Sequence, residues 1–227
     1  MMNKFSMSDN KYSTVLTVIL VIVVILILIL LGFWGYSEYK KFDSQLTAGE
    51  AIDEFDNRTK NKNVANNEEE DLANVQNPFA SIQSVDGSTQ VTTQQTYKGF
   101  IMVGKIEIPK TKVNLPVLAE VTKASLEASV AIQYGPGLNK PGNTTIFGHN
   151  YRNGMFFSNN SKIEIGDKIY ITDETGTKVT YIVYNTYLTT PEDADYMTRD
   201  TAGAMEISLS TCTDDSSQRI IIWAKAE

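Results

Sequence analysis

Cysteine is all but absent from this chain, with Cys212 the single thiol among 227 residues. One thiol cannot close an intrachain disulfide, so stability has to come from a packed core, and there is no cysteine framework of the kind that marks small secreted domains. Histidine is as scarce, represented by His149 alone. Basic side chains are outnumbered, 20 Lys and Arg against 27 Asp and Glu, and the resulting formal net charge of −7 argues against nucleic acid as a partner. A repeat of fixed period is also missing. A chain of this length with 42% hydrophobic and 21% charged residues suits one domain of ordinary size with extensions. The lone thiol is then free, reactive or intermolecular.

Long apolar runs are not lacking. Residues 15–34 read VLTVILVIVVILILILLGFW, interrupted only by Thr17 and Gly32. About twenty helical residues rise roughly the 30 Å of a bilayer core. The run is too long for the apolar part of a signal peptide, and no small-x-small cleavage site follows it. Phe33, Trp34 and Tyr36 instead form an aromatic belt. A core helix of a soluble protein would not be apolar all round. The expected organisation is a short cytoplasmic N-terminus (1–14), a transmembrane signal-anchor (15–35), a helical then flexible extracellular stalk (36–96) and a globular domain (97–227). Lys4 and Lys11 before the span balance Lys40 and Lys41 after it, so lysine count does not set orientation.

Within the stalk, Tyr36, Tyr39, Phe42, Leu46 and Phe55 are compatible with a helix leaving the membrane as far as about Asn57. Beyond it, NKNVANNEEED and QSVDGSTQVTTQQT hold few large apolar residues, which predicts a flexible linker whose acidic run 68–71 is solvated. From Tyr97 the pattern changes to short runs rich in Ile, Val, Tyr and Thr. Strands are expected around 101–108, 144–147, 168–172, 178–187, 204–212 and 219–224, with a short helix over 122–131 capped by Thr122. Seven or eight strands with one or two helices in about 130 residues predict a mostly β, closed or nearly closed barrel.

The chemistry gathers in 206–223, EISLSTCTDDSSQRIIIW. Cys212 stands where the alternation of Ile207, Leu209 and Thr211 gives way to the turn residues Asp214, Asp215, Ser216 and Ser217, and Arg219 opens the next strand. A thiol at a strand end, an arginine across a hairpin and a histidine from another strand end make a candidate nucleophile, oxyanion donor and acid/base group. Each has a structural alternative. A lone cysteine is often a small buried hydrophobe, a lone histidine a surface residue, and an arginine a salt-bridging strand residue. Thr211 can be a plain β-branched strand residue, and Met155, Phe156 and Phe157 read as core.

Taken together and in order, GKIEIPK (104–110), LPV (115–117), PGN and IFGHN within 141–150, GDKIYI (166–171), SLSTC (208–212) and RIIIWA (219–224) resemble the sortase family, the membrane-anchored cysteine transpeptidases of Gram-positive bacteria. The resemblance runs from Gly99 to the C-terminus. It implies an eight-stranded sortase-type β-barrel on the outer face of the cell membrane. It implies that Cys212 attacks the threonine carbonyl of an LPxTG-like sorting signal in a secreted protein, that Arg219 holds the developing oxyanion and that His149 protonates the leaving amine. Thr211 would support the substrate. An amine on a cell-wall precursor of the lipid II type would resolve the thioester. No cofactor is implied. Calcium dependence, known in part of the family, is not assigned, and Glu164, Asp167, Asp173 and Glu174 read as turn acids. Pilin-polymerising members carry a second membrane segment and a lid with an aspartate-proline-aromatic motif, to which Asn77, Pro78 and Phe79 correspond only loosely, and this chain stops at Glu227 just after its last expected strand. The expectation is therefore a housekeeping-like or class D-like anchoring enzyme. The alternatives are a pilin-polymerising sortase, a cysteine peptidase that releases its acyl group to water, and an inactive membrane-tethered barrel that binds peptides.

Overall fold

The computed structural model describes residues 8–73 and 94–227; the Asn77, Pro78 and Phe79 segment lies outside them. The chain divides into two compact units, Met1–Leu46 and Thr47–Glu227.

The first unit is the early part of helix α1 (Ser8–Ala73). Its stretch Ser13–Tyr36 has a mean hydropathy of 3.6 and is long and apolar enough to cross a membrane. None of that stretch is covered by protein, and side chains such as Leu20, Leu28 and Phe33 are exposed on every side of the helix. Such a surface is stable only where lipid replaces water. The one hydroxyl within residues 15–34, on Thr17, donates back to the Ser13 carbonyl at 2.8 Å, so it presents no unpaired donor.

In the second unit eight strands close into a barrel. They are β2 (Phe100–Ile108), β3 (Val113–Leu118), β4 (Val130–Tyr134), β5 (Gly142–Phe147), β6 (Lys168–Asp173), β7 (Lys178–Thr189), β8 (Met205–Cys212) and β9 (Arg219–Ala226), with the two-residue β1 (Thr96–Tyr97) appended to β2. The order around the barrel is β2-β3-β4-β5-β8-β9-β7-β6, and β6 pairs back onto β2 through Ile106↔Ile171. Closure leaves few unpaired strand edges. Two pairings are parallel, β3 with β4 and β5 with β8; the latter brings segments distant in sequence side by side. Alternate residues of each strand face inward, where Ile106, Ile146, Ile171, Tyr181, Leu209 and Ile222 are wholly or almost wholly buried. Phe156 and Phe157 join that core, with Met155 packed against it.

The structure departs from the sequence reading in two places. The expected helix over 122–131 ends at Ala128, and strand β4 begins at Val130. Thr122 caps helix α2 (Lys123–Ala128) in a reciprocal box with Ser125, but the helix is only six residues long. Val130 and Ile132 are β-branched, and Val130 gains more from its ladder position opposite Val117 than from another helical turn.

The second departure is that α1 continues past Asn57 to Ala73, and part of it docks on the barrel. Ala48, Ile52 and Phe55, spaced four and three apart on one helix face, are each at most 5% exposed and form a second apolar cluster with Tyr97, Met102, Leu118, Ala128 and Ala131. Burial of side chains the size of Ile52 and Phe55 stabilises by about 1.5–3 kcal/mol each. Asp56 accepts from Lys105 Nζ at 2.7 Å, and Gln95 Nε2 donates to the Ala51 carbonyl at 2.9 Å. The residues that complete the globular unit thus begin well before Tyr97.

Candidate active site

Period-two geometry decides which side chains of β8 share a surface. Ile207, Leu209 and Thr211 face the barrel interior, whereas Ser208, Ser210 and Cys212 face outward. In the antiparallel β8–β9 ladder Cys212 is directly paired with Arg219, so the two share that outer face. In the parallel β5–β8 ladder Phe147 is paired with Ser210, and the Gly148 N–H then donates to the Ser210 carbonyl at 3.1 Å. That bond carries the alignment one residue past the end of β5, so the loop that starts at His149 leaves the sheet at the Cys212 end of β8, where Asn150 bonds the Cys212 carbonyl. Neighbouring strands lie about 4.8 Å apart. Cys212 and Arg219 are therefore lateral neighbours, His149 follows two residues past the end of the adjacent strand β5, and all three are half-buried.

Gly148 makes this approach feasible. A Cβ there would lie 2.6 Å from a Phe157 ring carbon and 2.8 Å from Val130 Cγ1, so any side chain would push the His149 backbone off the sheet. The Phe157 N–H donates to the His149 carbonyl at 3.1 Å and fastens it.

Arg219 Nη1 donates to Cys212 Sγ at 2.9 Å. A guanidinium at that distance puts positive charge where negative charge has to form, first on sulfur and then on the oxygen of an attacked carbonyl. The His149 ring lies against the Tyr151 ring with centroids 4.9 Å apart and planes at 39°. Thr211 is 3% exposed, on the core side, and its Oγ1 has no partner.

Asn150 did not stand out in the sequence beyond its place after Gly148 and His149. Its Nδ2 donates to the Cys212 carbonyl and to Asp214 Oδ1, both at 2.9 Å, and so ties the loop after β5 to the turn after β8. The only signal for it is adjacency to the lone histidine, because its partners are 62 and 64 residues away. In the same turn Asp215 accepts from the Thr213 hydroxyl and from the N–H and hydroxyl of Ser217, which holds its carboxyl down at about 2.

Behind the site, on the outer face of the same strands, Arg199 pairs with Glu206, donates to Asn143 Oδ1 at 3.1 Å and lies 4.5 Å over the Trp223 ring. Tyr184 donates to Glu206 at 2.6 Å, and burial, with Glu206 second, pushes its phenol up to about 12. A cleft of about 480 Å³ lined by Tyr134, Pro136, Asn143, Met197 and Arg199 opens beside this network. It belongs to the opposite end of β5 and β8, since the stretch from Asn143 to His149 rises about 20 Å. Of the four acids considered for calcium, Glu164 and Asp167 lie against Lys110, at 2.7 and 3.8 Å, and Asp173 caps its own turn through Thr175 and Thr177. Among the described residues no group of three His, Cys, Asp or Glu side chains could hold a metal ion.

The sequence model of the sortase domain matches residues 106–227, more than half of the chain and the part that holds all of these groups. The chain belongs to the sortase family. It is 28% identical over 163 residues to a protein named sortase A from Streptococcus agalactiae serotype III (strain NEM316), a match that covers 66% of this chain and 62% of that relative. The chain thus spans under two thirds of that relative's length. Among solved structures, a Clostridium perfringens sortase D5 transpeptidase is similar at 27% identity and a TM-score of 0.51, over 56% of this chain and 79% of that one. The lid mutant of sortase A from Corynebacterium diphtheriae is similar at 28% identity and a TM-score of 0.52, over 56% of this chain and 71% of that one. This sortase has the eight-stranded closed barrel that the family resemblance implies, within the seven or eight strands that its sequence pattern predicts.

Proposed function

We propose that this sortase is a cysteine transpeptidase that cleaves an LPxTG-like sorting signal and joins the released carboxyl side to an amine of a cell-wall precursor. The observation that carries the reading is the contact between Arg219 Nη1 and Cys212 Sγ on directly paired residues, with His149 two residues past the end of the neighbouring strand β5. Cys212, reacting as the thiolate with its proton on His149, attacks the threonine carbonyl carbon through Sγ. The carbonyl oxygen takes up negative charge that Arg219 meets with a fixed, always protonated donor. As the tetrahedral species collapses the C–N bond breaks, His149 gives its proton to the departing amine and a thioester remains on Cys212. An incoming amine then attacks the thioester carbonyl, loses its proton to His149 and expels the sulfur, which restores the enzyme. Thr211 is assigned to the peptide, and because its side chain is turned into the barrel, that contact runs through its backbone.

The match to a sortase A and to a class D transpeptidase supports a housekeeping-like or class D-like anchoring role. The apolar helix Ser13–Tyr36 supports a single-pass anchor that leaves Thr47–Glu227 on the outer side of the cell membrane, where secreted substrates and lipid-linked precursors meet. Incubation of Thr47–Glu227 with LPxTG-like peptides and an amine tests the chemistry: the threonyl-amine product and an acyl adduct on Cys212 by intact mass are expected. Absence of both across a library of sorting-signal peptides sinks the transpeptidase reading. An adduct that yields only free acid in the presence of amine makes the protein a peptidase.

A further inference from the structure

The proposed chemistry needs the His149 ring held in place while one of its nitrogens stays free. The imidazole has to donate a proton to one amine and accept one from another through the nitrogen that faces the reacting groups, so that nitrogen cannot be locked into a strong permanent hydrogen bond. Among the described residues neither nitrogen has such a partner, and the ring contact it makes is with Tyr151. A tilted ring in contact restricts the orientation of an imidazole while leaving both nitrogens free, and an aromatic ring favours a charged neighbour over its face.

We propose that Tyr151, anchored on Glu127 of α2, is a positioning residue that holds the His149 ring beside Cys212. Tyr151 is fastened on three sides. Its hydroxyl donates to Glu127 Oε2 at 2.7 Å, its N–H donates to Ser158 Oγ at 3.1 Å, and its ring lies 5.6 Å from the ring of the buried Phe156. Glu127 stands on firm ground in turn. Helix α2 is closed at its start by the reciprocal Thr122–Ser125 bonds, and its Ser125 and Ala128 are buried. Ala128 belongs to the apolar cluster that also contains Ile52 and Phe55 of α1. The clamp thus runs from a packed cluster through one carboxylate and one phenol to the imidazole. Partial burial and the neighbouring Glu127 carboxylate push the Tyr151 phenol up, which favours the protonated form that donates to Glu127.

The inference rests on the reading of His149 as the acid/base group, and its test can fail separately from that reading. His149 is the only histidine of the chain, so full-length protein in detergent labelled at the histidine ring carbon gives one imidazole signal. In Tyr151→Leu that signal moves, because the ring current of the adjoining phenol is gone, and turnover of peptide and amine falls about tenfold while KM stays within about twofold. Tyr151→Phe keeps the ring but loses the anchor and falls between the two. Glu127→Gln still accepts the phenol hydrogen bond and stays close to the parent, whereas Glu127→Ala reproduces Tyr151→Phe. An imidazole signal unmoved by Tyr151→Leu overturns the clamp. So does a raised KM with intact turnover, which makes Tyr151 a peptide contact. Should Tyr151→Leu fail to fold, the contrast between Glu127→Gln and Glu127→Ala decides on the same two readouts. Intact turnover in His149→Ala instead overturns the functional reading, and the signal still judges the clamp.

Discussion

Each side chain at the Cys212 end of the barrel has a separable job, and substitution can tell the jobs apart. Cys212→Ala should abolish turnover and leave the thermal unfolding midpoint within a few degrees, because a half-buried thiol at a strand end contributes little packing. Arg219→Lys keeps the charge but loses the planar fork. Loss of one oxyanion donor costs about 3 kcal/mol, so turnover should drop roughly a hundredfold while KM changes only a few-fold; a raised KM with intact turnover makes Arg219 a binding residue. Asn150 acts on neither reacting atom. Asn150→Ala frees the Cys212 carbonyl, Asp214 and the Arg152 N–H and should lower stability by about 1–2 kcal/mol, since each hydrogen bond is worth about 1 kcal/mol net and two of the three are exposed. Asn150→Asp should be worse, since it puts a second carboxylate beside Asp214 where an amide now donates. Chemical denaturation of the three proteins side by side gives that order, and an Asn150→Asp protein as stable as the parent contradicts the tie.

At the scale of elements, two pieces lend themselves to measurement. The docked part of α1 holds Phe55 at 3% exposure, and Phe55→Ala should cost about 3 kcal/mol, read as a clear fall in the unfolding midpoint. Asp56→Ala removes only a part-exposed ion pair with Lys105 and should cost under about 1 kcal/mol. Equal effects of the two would mean that charge, not apolar burial, seats the helix. The β8–β9 turn carries a pH dependence. Asp215 falls from an ordinary value of 3.8 to about 2 because Thr213 and Ser217 donate to its carboxylate. A carboxyl lowered in the folded state adds stability that is complete above the unfolded value and is lost as pH falls through the folded one. The turn should therefore loosen between about pH 4 and pH 2. Denaturation midpoints of Asp215→Asn should vary less with pH across that window than those of the parent, and identical pH curves would remove Asp215 from the account.

For the whole molecule the question is which side of a membrane the barrel occupies. The proposed orientation leaves Thr47–Glu227 outside, so protease added to intact protoplasts should remove it while the N-terminal end stays protected. Protection of the barrel in that assay overturns both the topology and the proposed substrates. The lysine tie across the span makes this a measurement that charge counting cannot replace.

The local pattern alone carried the apolar span, the mostly β class of the domain and the identity of the lone thiol and lone histidine, because hydropathy runs and period-two alternation are properties of short windows. Strand ends such as Phe147, Cys212 and Arg219 were legible for the same reason, since turn residues follow or precede them. The continuation of α1 was not: Asn- and Glu-rich sequence is compatible with linker and helix alike, and apolar burial of Ala48, Ile52 and Phe55 requires Met102 and Leu118, which local sequence does not bring near. Nor was β4 legible, because Val130 to Tyr134 becomes a strand only when β3 lies beside it in parallel. The candidate site belongs to the same class of facts. That the loop holding His149, Asn150 and Tyr151 leaves β5 at the Cys212 end of β8, with Asn150 bonded to the Cys212 carbonyl, follows from the parallel alignment of β5 on β8. That alignment joins residues about sixty positions apart, and hydrogen-bonded register across a closed barrel exists only in three dimensions.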